Sequence, residues 1–170
     1  IDGRYRKQVQ HLDDYFSEYA LIKYRVMIEV EYLLFLQQKK FVQLPVKTVK
    51  HLQQFAENFS PEQAQEIKKI EAITNHDVKA VEYFVKKELE KSGGKKALEW
   101  VHFGLTSQDI NNTAIPLSWK HAIEYEYLPS LLNLNTELKI LARQWKNISM
   151  LAHTHGQPAS PTSLGKEIMV

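Results

Sequence analysis

Residues 12–36 read LDDYFSEYALIKYRVMIEVEYLLFL. Within them Leu12, Tyr15, Phe16, Tyr19, Ile22, Val26, Val30, Leu33 and Leu34 recur three or four apart, with Glu and Lys between. That spacing gathers them on one stripe of a 3.6-residue helix and predicts one long amphipathic helix whose stripe needs covering. The same period continues outward. Pro45 opens a second helix carrying Val46, Val49, Leu52, Phe55, Ala56 and Phe59. Ser60-Pro61, with Gln63 three residues after the serine, is a capping-box start for a third, whose buried stripe is expected to be Ile67, Ile70 and Ile73. No sustained period-two pattern appears, so the expected class is all-α.

Further along, Asn75-His76-Asp77 interrupts the helical pattern, which resumes with Val78, Val81, Phe84, Val85 and Leu89 and stops at Gly93-Gly94. Leu98, Val101 and Leu105 form another helical stretch. Thr106-Ser107-Gln108-Asp109 then offers a second capping box, opening a helix through Ile110, Ala114 and Leu117 towards Leu128. Pro116 lies inside that helix and is expected to kink or split it, lacking an amide donor and crowding the preceding turn. Pro129 starts a helix with the stripe Leu131, Leu134, Leu138, Leu141 and Trp145. Ile148 to Leu151 suits a brief extended segment, followed by a Thr154-His155-Gly156-Gln157 loop and a helix from Pro161. That last helix reaches Val170 without a cap or breaker, and the chain has no initiator Met, so it reads as an N-terminal piece of a longer protein.

With 170 residues, 44% hydrophobic and 25% charged, the chain is long enough to bury a core and has the makeup of a globular protein. A net charge of +2, from 22 basic and 20 acidic residues, gives no single-sign surface for nucleic acid or membrane. The absence of cysteine removes disulfides, thiolate ligands and thiol nucleophiles. No run approaches the roughly 20 apolar residues that cross a bilayer, and the N-terminus lacks a secretory profile, so a cytoplasmic location is expected.

Among residues able to do chemistry, His155 between Thr154 and Gly156 is the sharpest candidate, because imidazole holds and releases a proton near neutrality. Its bland alternative is a loop histidine bonding a helix end. Gln157 has an amide for a carboxylate or for loop backbone. Asn75, His76 and Asp77 sit at a helix start, where exposed amides favour an anion or where the side chains simply cap. The hydroxyls of Thr106 and Ser107 carry the same two readings. Arg4-Tyr5 offers a cationic fork and a phenol for phosphate, or a surface turn. His153 and His155, two apart, lack a third ligand at a familiar metal spacing, so no metal site is expected.

Taken in order, Asp2-Gly3-Arg4-Tyr5, Thr74-Asn75-His76-Asp77-Val78-Lys79-Ala80-Val81-Glu82-Tyr83, Thr106-Ser107-Gln108-Asp109-Ile110-Asn111-Asn112 and Thr154-His155-Gly156-Gln157-Pro158-Ala159 resemble the adenylosuccinate lyase family of the fumarase and aspartase superfamily. The resemblance spans essentially the whole chain. It implies an N-terminal helical domain over 1–105 and the first part of a long-helix central bundle over 106–170. The implied activity belongs to purine nucleotide and AMP biosynthesis: β-elimination of fumarate from adenylosuccinate, giving AMP, and from succinyl-aminoimidazole-carboxamide ribotide. No cofactor is implied.

By matching motifs, the resemblance makes His155 the general acid that protonates the leaving nitrogen, with Thr154 and Gln157 orienting substrate. His76 assists, flanked by Asn75 and Asp77 on the nucleotide. Thr106 and Ser107 hold succinyl carboxylate or phosphate oxygens, and Arg4 with Tyr5 the nucleotide phosphate. Gln108 replaces the family's common Glu, and Pro116 is unusual in its helix. The family's serine base lies on a later loop outside these residues, and its sites are assembled from three subunits of a homotetramer, so the chain alone is expected to be inactive. The competing readings are another lyase of the superfamily, acting on argininosuccinate or malate, and a non-catalytic helical scaffold.

Overall fold

Ser17 decides where the first long helix begins. In the computed structural model, which describes residues 3–170, Ser17 is extended (φ −85°, ψ 166°) and its hydroxyl accepts the Ala20 amide. The stretch expected to be one helix from Leu12 is therefore broken. Short helices α1 (Arg6–Val9) and α2 (Asp13–Phe16) precede α3 (Glu18–Gln38). A serine that satisfies an otherwise orphaned helix amide stabilises a start by about 1 kcal/mol, enough to outvote continuous apolar spacing.

The chain continues through α4 (Val46–Glu57), α5 (Pro61–Thr74), α6 (Asp77–Lys91), a 3-10 segment (Lys95–Trp100) and α7 (Ser107–Ala122). The Ser60 capping box is present in full: Gln63 donates its amide to the serine hydroxyl, and its side-chain oxygen accepts the Ser60 amide at 2.8 Å. At Thr106 the expected box is one-sided, because Asp109 accepts both the Thr106 amide (2.7 Å) and its hydroxyl (2.8 Å). Pro116 does not split α7, which passes through it unbroken.

Two compact units divide at Ala122/Ile123. In the first, α3 is the hub, packing against α4, α5, α6 and α7. Its buried Val26, Val30 and Leu33 meet Leu52 and Phe55 of α4, Ile67 of α5 and Val81, Phe84 and Val85 of α6. Phe55, Phe59 and Phe84 form a three-ring cluster with centroids 5.8–6.5 Å apart, tilted or edge-on as ring quadrupoles prefer. Each such side chain contributes about 1.5–3 kcal/mol on burial. Ile73, expected on the buried stripe of α5, is instead 83% exposed. The face of α5 that packs is Ala64, Ile67 and Ile70, and its last turn runs past the core before Asn75 caps it.

In the second unit a π-helical segment (Ile123–Tyr127) leads to α8 (Leu128–Gln144), the strands β1 (Ser149–Thr154) and β2 (Gln157–Ser163), and α9 (Leu164–Ile168). The hairpin departs from the expected loop, and Pro161, expected to open a helix, lies in β2 opposite Leu151. Each strand of a two-stranded ribbon has an outer edge, where a residue without an amide donor costs no ladder bond. The register slips between Leu151 and His153, with Ala159 and Ser160 set against Ala152, a bulge placed between Pro158 and Pro161. Gly165 lets α9 close on α8, since a Cβ there would lie 2.2 Å from the Ala142 carbonyl oxygen and 2.6 Å from the Lys146 amide nitrogen.

Candidate active site

The first unit brings two helix starts together. Asn75 ends α5 in the left-handed conformation (φ 52°), which turns the chain sharply so that His76 becomes the extended N-cap of α6. His76 Nδ1 accepts the Lys79 amide at 3.2 Å. A neutral ring used that way carries its proton on Nε2, which then donates to Ser107 Oγ at 3.4 Å, at the first turn of α7. The imidazole is half exposed, links the first turns of α6 and α7, and has the Asp77 carboxylate 3.6 Å from its Nδ1.

Arg25, in the middle of α3, ties the two starts. Its Nη2 lies 2.7 Å from Asp77 Oδ2, and its Nε donates to Asn111 Oδ1 at 2.9 Å, so one guanidinium spans the first turn of α6 and the second turn of α7. Burial pushes the Asp77 carboxyl upward, but the Val78 amide and Arg25 outweigh it and hold the group below its ordinary range. Asp77 is thus an anion committed to Arg25. The buried Glu82 carboxyl, on the same helix, is likewise held down, burial being outweighed by Lys79 and Lys86 at 2.7 and 3.0 Å.

Of the residues expected from sequence, the structure unites His76, Asp77, Thr106 and Ser107 with Asn75 at their edge. Arg4 and Tyr5 lie in the opening 3-10 turn, Arg4 stacked 5.4 Å over the Tyr5 ring, and that turn packs on α1. Asp2 of the same motif lies outside the described residues.

Thr154, His155 and Gln157 belong to the second unit. Thr154 pairs with Gln157, leaving His155 (φ 52°) and Gly156 (φ 74°) as the two central residues of a hairpin turn with positive φ at both, the type I′ pattern. The imidazole is presented at a hairpin tip, exposed, and out of the alternation that would have placed it on the same strand face as His153. A two-residue His-Gly link flanked by β-tolerant runs is the sequence signal for this turn, parallel to Asn-Gly.

The sequence reading passes over Arg25, Glu29 and His102, and quotes Asn111 within a motif without giving it a role. Arg25 and Glu29 are four apart and share the buried stripe of Ile22, Val26 and Leu33, so the legible signal is a charge of each sign on an apolar face.

The lyase family matches residues 3–170, nearly the entire chain. Adenylosuccinate lyase of Dictyostelium discoideum is 52% identical over 180 residues, covering 100% of this chain and 38% of that protein. The adenylosuccinate lyase of Escherichia coli K12 is 42% identical over 177 residues, with 99% and 38% covered. The chain therefore spans 38% of the length of these relatives. Among solved structures, fumarate lyase from Mesorhizobium sp. BNC1 superposes with a TM-score of 0.71 at 21% identity, over 94% of this chain and 36% of that one. A β-carboxy-cis,cis-muconate cycloisomerase from Acinetobacter calcoaceticus gives 0.69 at 20%, with the same coverage. These likenesses bear on fold, while the match over residues 3–170 bears on descent: the chain belongs to the lyase family.

Proposed function

We propose that this chain is the N-terminal portion of an adenylosuccinate lyase acting in purine and AMP biosynthesis, dividing into a helical domain over 1–105 and the opening of a central bundle over 106–170. The observation that carries the reading is 52% identity to an adenylosuccinate lyase over the whole length of this chain. In the reaction, a base removes a proton from the succinyl carbon beside one carboxylate. Charge gathers on that carboxylate, the carbon-nitrogen bond breaks, fumarate leaves, and an acid delivers a proton to the nitrogen of AMP or of the carboxamide ribotide. Donors that grip the developing charge more tightly than the ground state supply the rate.

His155 is the acid, Thr154 and Gln157 orient the substrate, and His76 assists beside Asn75 and Asp77. Thr106 and Ser107, at the first turn of α7, take carboxylate or phosphate oxygens, and Arg4 with Tyr5 the nucleotide phosphate. The base comes from a later loop of the full-length protein, which is a cytoplasmic homotetramer needing no cofactor.

Fumarate release from adenylosuccinate by the full-length protein tests the assignment. Replacing His155 with Gln should lower kcat by about 10²–10⁴-fold, the usual worth of a general acid, with the tetramer intact. Normal turnover by that variant would remove His155 from its role. The 170-residue chain alone should release none. A scaffold, by contrast, would show no saturable binding of AMP to the full-length protein.

A further inference from the structure

His76 and Ser107 meet from two different helices, and their contact is weak. At 3.4 Å it is longer than the usual hydrogen-bond span of about 2.7–3.2 Å, so it cannot by itself fix the spacing of α6 and α7. Arg25 is better placed to do so. It is buried in α3, 7% exposed, and its guanidinium reaches both helices, through Nη2 to Asp77 Oδ2 at 2.7 Å and through Nε to Asn111 Oδ1 at 2.9 Å. Both anchors lie beside the pair in question. Asp77 directly follows His76, and Asn111 comes four residues after Ser107, one turn further along the same face of α7.

The linkage is stiff at each joint. A guanidinium is planar, so the directions of its Nε–H and Nη2–H bonds are fixed relative to one another, and shifting one anchor strains the other. Asp77 is itself held, because its Oδ1 accepts the Val78 amide at 2.8 Å and ties the carboxylate to the first turn of α6. The helix that carries Arg25 packs against both α6 and α7. Desolvation offsets much of what a buried charged contact adds to stability, whereas its directions are kept in full.

We propose that Arg25 is a positioning residue for the reaction: by gripping Asp77 and Asn111 with one rigid fork, it sets the separation at which His76 and Ser107 present their protons to substrate oxygens. Arg25 acts through those two side chains and touches no substrate itself. The proposal rests on the lyase reading above.

The test uses full-length protein carrying Arg25→Lys, Asn111→Ala or Asn111→Asp, read by melting temperature, kcat, KM and crystal structures. Lysine keeps a positive charge beside Asp77 but cannot hold two directions at once. Arg25→Lys should melt within a few degrees of wild type yet lose at least about tenfold in kcat/KM, equivalent to about 1.4 kcal/mol. In its crystal structure the His76 Nε2 to Ser107 Oγ separation should open by about 0.5 Å or more. Asn111→Ala should lose a similar factor, and Asn111→Asp, which keeps the acceptor, should stay within about threefold of wild type.

A role confined to stability would not produce coupling. Added to Ser107→Ala, Arg25→Lys should cost no more than about threefold, because the spacing it sets has lost one of its two partners. The full tenfold loss in that background overturns the proposal. So does wild-type kcat/KM, or an unchanged His76–Ser107 separation, in Arg25→Lys alone. If Arg25→Lys does not fold, Asn111→Ala, which leaves the Asp77 contact in place, decides by the same kinetics, coupling and separation. If wild type releases no fumarate, the lyase reading fails, and the separation in the variant crystal alone decides whether Arg25 sets the spacing.

Discussion

The two units use the same helical alphabet to opposite ends. Up to Ala122 the chain closes a core in which Val26, Val30, Leu33, Leu52, Val81 and Val85 are completely inaccessible. From Ile123 onward only Ala142 and Gly165 are buried, while Leu131, Leu132, Leu134, Leu138 and Ile140 of α8 are 41–63% exposed. Leu131, Leu134 and Leu138 keep the spacing of a helix face built to be covered, and the rest of the second unit leaves them 41–54% exposed. Periodicity thus reports that a face is apolar, and not that its partner lies in the same stretch of sequence.

The sharpest way to break that contrast is a matched pair of truncations. Phe84→Ala should cost about 3–5 kcal/mol, because Phe84 is 1% exposed and its removal opens a cavity among Phe55, Phe59 and Leu52. Leu134→Ala should stay within about 0.5 kcal/mol in the 170-residue chain, where Leu134 is 54% exposed. Urea unfolding of both variants gives the comparison. Equal losses would mean that α8 is covered after all. In the full-length protein the leucine truncation should cost several times more than in the short chain.

How much could be read beforehand follows the same line. Helices from Val46 to Lys91 were legible because local signals agreed: Pro45, the Ser60 box, Gly93-Gly94 and an apolar stripe between each pair. Ser17 was misjudged because its cap competes with an uninterrupted apolar period, and Ile73 because a stripe is not covered beyond the end of its neighbour. The hairpin was obscured by its composition: Pro158 and Pro161 argue against a strand unless the strand is known to be an edge. His76 and Ser107 were legible as residues worth watching, but their approach was not, since it depends on Arg25 bridging helices separated by dozens of residues.

That bridge gives the second prediction. Arg25→Met should cost about 1–2 kcal/mol at pH 7, less than a fully buried pair, because the Asp77 side chain is 44% exposed and water screens it. The sign with pH is fixed by Asp77. Its folded-state group lies below the ordinary value of 3.8, so the pair's contribution is fully present above that value and is lost as pH falls through the lowered one. The difference between wild type and Arg25→Met should therefore be constant from pH 6 to 8 and shrink below about pH 4. Unfolding midpoints at pH 7 and pH 3 read it directly. A gap that widens in acid would mean that Asp77 is not the partner that matters.

The smallest expected effect tests the second unit on its own terms. Gly156 has open space around the position of a β-carbon, so Gly156→Ala introduces no clash, and its cost is conformational. With φ at 74° that cost is about 1 kcal/mol, confined to the hairpin. Asn tolerates the left-handed region better, so Gly156→Asn should lose about half as much. Amide exchange across Ser149–Thr154 and Gln157–Ser163 measures both, with faster exchange for alanine than for asparagine and little change in the first unit. If His155 acts from the tip of this turn, kcat in the full-length protein should follow the same order, glycine above asparagine above alanine. Unchanged exchange in both variants would mean that the turn is not what holds His155 in place, and the hairpin would cease to explain why glycine follows that histidine.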